Sequence, residues 1–230
     1  MQILSRTPFA RLVIAGLALI AASASFAQSA SVNSLPPALR AAVLSGNANQ
    51  VQQAINALSA GNPQQTAALA SQVANVAQSL LATNPQAALA VAGAAVNAVQ
   101  STAVTGSSPQ QVEAVVTAAA RIFVSPQAQQ VAPTQAAALA TATMQVAQST
   151  GNSALTANVA AQAVSTAEKI LAANPTAAVQ LASTAVQAVQ STTVQNSSPQ
   201  ASLEVATTAA RIAVNPTAQQ AAPTAVASIA

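Results

Sequence analysis

Apolar residues recur along this chain in steps of three and four. Leu69, Val73, Val76 and Leu80 form one series, Leu89, Ala92, Val96 and Val99 a second, and Val112, Val115, Ala119 and Ile122 a third. Val159, Ala163, Thr166 and Ile170 follow with one polar interruption, and Val179, Ala182, Val186 and Val189 complete the pattern. Each series falls on one face of an α-helix, whereas a half-buried strand would alternate strictly. Val costs roughly half a kcal/mol relative to Ala in a helix interior. Its concentration on the stripes therefore implies that packing offsets propensity there.

Helix starts are equally explicit. Asn62-Pro63, Asn84-Pro85, Ser108-Pro109, Ser125-Pro126, Asn174-Pro175, Ser198-Pro199 and Asn215-Pro216 each set a capping residue before a proline. Asn or Ser at the N-cap accepts a hydrogen bond from an orphan backbone N–H, and proline at the first helical position lacks an N–H that would have been unpaired anyway. Gln65 and Gln111 stand three residues after Asn62 and Ser108, where a capping box would place them. The punctuation predicts helices of about 14 to 19 residues, roughly 20 to 28 Å long. Short connections between them predict antiparallel neighbours.

The same punctuation occurs twice. Residues 80–134 align with 170–224 at an offset of 90 without gaps, and 33 of the 55 positions are identical, more than biased composition alone would produce. Pro36, Pro126 and Pro216 extend the register, and a fainter spacing of 22 residues matches single helices. Self-similarity of this kind predicts a repeat architecture. The expected fold is all-α, with tandem helical repeats of α-hairpins forming a solenoid or an elongated bundle. Repeat 1 would span 36–125, repeat 2 would span 126–215, and a partial third repeat would occupy 216–230.

Ahead of the repeats, residues 1–27 read as a secretory signal peptide. Arg6 and Arg11 precede the apolar run from Leu12 to Ile20, and Ser25-Phe26-Ala27 puts small residues where signal peptidase requires them. Residues 28–35 would then be a short linker. The apolar run is shorter than the ~20 residues that span a bilayer, and lipoprotein processing requires a Cys that the chain lacks. No stable membrane insertion is expected after cleavage, and the expected location is the periplasm or the extracellular space.

Loss of that segment alters the charge. The whole chain carries +3, but the mature part keeps Arg40, Arg121, Lys169 and Arg211 against Glu113, Glu168 and Glu204, a balance of +1. The isoelectric point near 11.4 thus reflects a scarcity of acids, not a basic surface. Nucleic acid is not an expected partner, because its recognition needs clustered Lys and Arg with aromatic platforms, and Phe123 is the only mature aromatic residue. Charged residues make up 4% of the chain, against about 25% ordinarily. Helix exteriors are therefore built from Gln, Asn, Ser and Thr, with little like-charge repulsion to keep copies apart.

Candidate chemistry is sparse, since the chain has no Cys, His or Asp. Lys169 beside Glu168 is the most suggestive pair, because a lysine can act as base for a serine nucleophile. Adjacent helical residues do not face one another, however, and the first copy has Gln78 and Ser79 there. Arg121 and Arg211 coincide in the duplication. They would form either a repeated anion site or, as preferred here, cations near helix C-termini that complement the dipole. Glu113 and Glu204, near the opposite ends of the same helices, fit the second reading. No catalytic, cofactor-binding or metal-binding residue is expected, and the chain is not expected to be an enzyme. No two threonines are eleven residues apart, so a threonine-lined ice-binding face is not supported.

These observations point to a non-catalytic structural or interaction scaffold that self-associates as a homo-oligomer or extracellular assembly. The alternatives are a monomeric helical-repeat module binding a peptide or apolar ligand, and a functional-amyloid-type matrix subunit, suggested by low charge with abundant Gln, Asn and Val. N-terminal sequencing of the exported protein is expected to begin at Gln28; a start at Met1 would remove the signal-peptide reading.

Overall fold

A computed structural model describes residues 32–227 and Ile229. The signal-peptide reading, with cleavage after Ala27, lies outside the described residues. Among them, a 3-10 turn at Val32–Ser34 leads into fourteen α-helices and no strand. These are α1 (Pro37–Leu44), α2 (Ala48–Ser59), α3 (Pro63–Leu80), α4 (Pro85–Ala98), α5 (Thr102–Ser107), α6 (Pro109–Val124) and α7 (Pro126–Val131). There follow α8 (Pro133–Ser149), α9 (Ser153–Ile170), α10 (Pro175–Val189), α11 (Thr192–Ser197), α12 (Pro199–Ala213), α13 (Pro216–Ala221) and α14 (Pro223–Ala227).

Ten of the fourteen helices open on proline. All seven Asn-Pro and Ser-Pro junctions are helix starts, but the two cap residues behave differently. Asn62 accepts from the N–H groups of Gln64 and Gln65 at 3.0 and 3.2 Å, and Asn84, Asn174 and Asn215 also cap with their side chains. Ser108, Ser125 and Ser198 do not. At Ser108 and Ser198 the backbone lies near φ −145° with ψ 55° and 62°, whereas Asn84 and Asn174, at a similar φ, have ψ 82° and 80° and a longer side-chain arm that reaches N3. Ser125 donates its hydroxyl to the Gln127 side-chain oxygen instead. The expected reciprocal half of each capping box is pre-empted, because the Asn62 N–H donates to the Ser59 carbonyl and the Ser108 N–H to the Val104 carbonyl.

The four helices that lack a leading proline were not marked by the Asn-Pro and Ser-Pro punctuation. Each is closed by a side-chain cap: Asn47 on α2, Ser101 on α5, Asn152 on α9 and Ser191 on α11. Without proline one more N–H needs a partner, and the cap supplies it. The long helices match the expected lengths, whereas α5, α7, α11 and α13 have six residues each. These short pieces interrupt a simple alternation of long rods.

The apolar stripes meet in one continuous core that runs from Leu35 to Ala222. Helix α3 packs on α2, α4 and α6; α6 packs on α8 and α9; α9 packs on α10 and α12. Helix starts recur ninety residues apart, at Pro63 and Ser153, Pro85 and Pro175, Thr102 and Thr192, Pro109 and Pro199, Pro126 and Pro216, and Pro133 and Pro223. Helix α14 matches only the first turn and a half of α8. Residues 32–35, expected within a linker, are tied to the body: Leu35 is buried, and Arg40 donates to the carbonyls of Asn33 and Leu35.

Alanine and valine supply most of the buried apolar residues. A buried alanine gains only about 0.8 kcal/mol per methyl group, but it loses no rotamer entropy. Backbones must come close for such a core to fill. The turn at Gly46 shows this, because its φ is +65° and a Cβ there would sit 2.9 Å from the Ala87 Cβ of α4. Gly46→Ala is expected to lower the unfolding free energy by about 1–3 kcal/mol through left-handed strain and the clash. Gly106→Ala, in open space within α5, is expected to leave stability unchanged or raise it by up to about 1 kcal/mol. Urea melts followed by circular dichroism check both.

Candidate functional site

Each candidate side chain has a place in this helical frame. Arg121 and Arg211 lie in the last turns of α6 and α12. Arg211 reaches across to α9 and forms a two-pronged pair with Glu168, Nη1 to Oε1 at 3.2 Å and Nη2 to Oε2 at 3.3 Å, while donating to the Thr208 hydroxyl at 3.1 Å. Both partners are well exposed, at 60% and 44%, so the pair is worth under about 1 kcal/mol. It is the one ion pair among the described residues. Arg121 has no counterpart to it, since the residue ninety positions before Glu168 is Gln78.

Glu168 and Lys169 are thus not brought together as a catalytic pair. Both are exposed at the end of α9, and Glu168 turns to another helix. A groove of about 300 Å³ beside the Arg211–Glu168 pair is lined by Leu171, Ala172, Ile212, Asn215 and Thr217. The guanidinium that would attract an anion there is already matched by a carboxylate.

Glu113 has a different role from the one its sequence position suggested. It stands in the second turn of α6, outside the first turn where the helix dipole acts most strongly. Its Oε1 accepts from the Asn152 side-chain amide at 2.9 Å, linking α6 to the cap of α9. Glu204 is exposed on α12.

Gln129 escaped the sequence reading. It is 7% exposed, and its amide nitrogen donates to the Phe123 and Val124 carbonyls at 3.1 Å each and to the Thr166 hydroxyl at 3.3 Å. One side chain therefore satisfies two C-terminal carbonyls of α6 and explains the polar interruption in the α9 stripe. Thr166 passes its own proton to the Gln162 carbonyl. The signal was present as a glutamine three residues into the helix that follows Pro126, repeated at Gln219. Gln219 is exposed and reaches only the Ala213 carbonyl, at 3.2 Å.

A groove of about 410 Å³ lies between α4 and α8 and is nearly all apolar: Leu89, Gly93, Ala94, Leu139 and Ala142 line it, with the amides of Asn97 and Gln135. No group of three potential metal ligands occurs among the described residues, and none of their helices is long and apolar enough to cross a membrane. Comparisons with protein-family models, curated proteins and solved structures find no match.

Gln129→Ala is expected to lower stability by about 1–3 kcal/mol, because two carbonyls at a buried helix end lose their partner. Gln219→Ala should change it by less than about 0.5 kcal/mol, as surface substitutions usually do. Equal effects in denaturant titrations would contradict the distinction.

Proposed function

We propose that this chain is a secreted or periplasmic, non-catalytic structural scaffold, made of tandem ninety-residue helical repeats that associate with further copies of themselves. The observation that carries this reading is the surface itself. The mature chain keeps seven ionisable side chains, and two of these neutralise each other as Arg211 and Glu168. The rest of the exterior is amide, hydroxyl and methyl, which neither repels a second copy nor offers an acid, base or nucleophile suited to turnover.

The recurrence of helix starts supports the repeat reading, and repeat proteins bury their faces against neighbours in sequence. In this view Asn-Pro junctions fix where each rod begins, and a rod at the end of the array keeps a face that an additional unit would cover. Export follows from the N-terminal signal.

A second reading has one observation in its favour, the apolar groove between α4 and α8. Its small side chains and two amides would suit an extended peptide or an apolar ligand in a monomeric binding module.

Light scattering of the mature chain at rising concentration separates the two. The scaffold is expected to show a mass that grows with concentration and responds little to salt. A monodisperse monomer throughout would overturn it in favour of the binding module.

A further inference from the structure

Amides that the fold does not use lie in series across three neighbouring helices. Asn97 and Gln100 stand at and just past the end of α4, Gln145 and Gln148 in the last turns of α8, and Gln187 in the last turn of α10. All five are exposed. The Gln100 amide nitrogen donates to Asn97 Oδ1 at 3.3 Å, which leaves the Asn97 nitrogen and the Gln100 oxygen without a partner in the fold. Gln145, Gln148 and Gln187 have no side-chain hydrogen bond among the described residues.

Grooves follow this row from one helix to the next, since α8 packs on both α4 and α10. The groove between α4 and α8 includes Asn97, a second of about 210 Å³ joins Gln100 to Gln145, and a third of about 360 Å³ joins Gln148 to Gln187. The Asn97–Gln100 hydrogen bond links the first to the second, and one turn of α8 links the second to the third. No charged side chain lines any of the three. Gln187 and Gln190 repeat Asn97 and Gln100 ninety residues later, but Gln145 and Gln148 correspond to Ile55 and Leu58 of α2. Helix α8 thus has amides where its counterpart is apolar, and it is the helix between the two amide-bearing ones.

The chemistry of the row selects a class of ligand. A primary amide offers donor and acceptor side by side, the same two groups as a peptide unit, so a main chain can pair with it reciprocally. Packed helix axes lie about 8–10 Å apart, and an extended chain rises about 3.3 Å per residue. Each step between helices therefore takes about three residues. Amides a turn apart, as on α4 and α8, can serve both edges of such a chain, and its inward side chains would meet Leu89, Gly93 and Leu139. Above Gly93 there is open space. A sugar chain would find no aromatic face here, because Phe123 is buried, and a charged peptide would find no counter-charge.

We propose that the amides of Asn97, Gln100, Gln145, Gln148 and Gln187 form a docking track for an extended, uncharged polypeptide segment, read through its main chain, with small apolar side chains entering the groove on α4. The proposal rests on the binding-module reading and carries its site from one groove to a path across three helices.

An array of uncharged peptides of Ala, Val, Ser, Thr, Asn and Gln, probed with the mature chain and followed by calorimetric titration of the best binder, tests it. Gln145→Ala, Gln148→Ala and Gln187→Ala are each expected to weaken binding about two- to tenfold, the worth of one hydrogen bond, with an unchanged helical spectrum. Gln53→Ala, an exposed amide of α2 outside the row, should leave binding unchanged. Methylating the backbone nitrogens of the peptide should abolish binding although its side chains are kept. Binding that ignores the three exchanges but is lost in Gly93→Leu overturns the track and leaves the module reading on the α4–α8 groove. If no peptide binds, or oligosaccharides bind instead, the track is overturned; n-octanol bound by the wild type and not by Gly93→Leu would then preserve the module reading for an apolar ligand, and no octanol binding would end it.

Discussion

Neutral side-chain hydrogen bonds at helix ends are the constraint on which this structure depends. Fourteen helices among the described residues create many orphan N–H and C=O groups, and a core of alanine and valine gains too little per residue to leave those groups unpaired in the interior. The chain meets this with almost no charge. Proline removes one N–H at ten starts, asparagine accepts from others, and the Gln129 amide takes the last carbonyls of α6. Since these partners do not titrate, the network that sets where each rod begins and ends is insensitive to acidity and barely screened by salt.

That constraint explains how much could be read from the sequence. The Asn-Pro and Ser-Pro junctions marked helix starts because sterics and hydrogen-bond supply act within three or four residues. The stripes on α4 and α6 were legible for the same reason, their spacing being a local property of the helix. What escaped was non-local. Gln129 looks like any surface glutamine until Thr166 arrives from thirty-seven residues away, and Glu113 reads as a helix-end charge until Asn152 meets it across two helices. The serine caps misled for a finer reason: their residue type suits the position, but ψ at Ser108 and Ser198 turns a short hydroxyl away from its target.

Alanine has a further consequence for the surface. Small side chains permit close approach of backbones, as at Gly46 against Ala87, and in a well-filled core they leave little room for a deep cavity. The grooves that remain are shallow seams between helices. Two candidate residues, Arg211 and Glu168, line one of them but are paired with each other, and Glu113 is occupied with an amide. These side chains are engaged within the fold, so under the proposed reading the outer faces of the helices are what remains for contact.

Those faces are unequal, and the inequality limits what assembly can mean under the proposed reading. A neutral exterior alone would favour indiscriminate adhesion, since nothing repels a misaligned copy. The amides of Asn49, Gln53 and Asn56 keep the outer face of α2 wetted, whereas Leu203 and Val214 leave that of α12 apolar. Under the proposed reading, contact between copies would therefore favour faces such as that of α12 over faces as polar as that of α2.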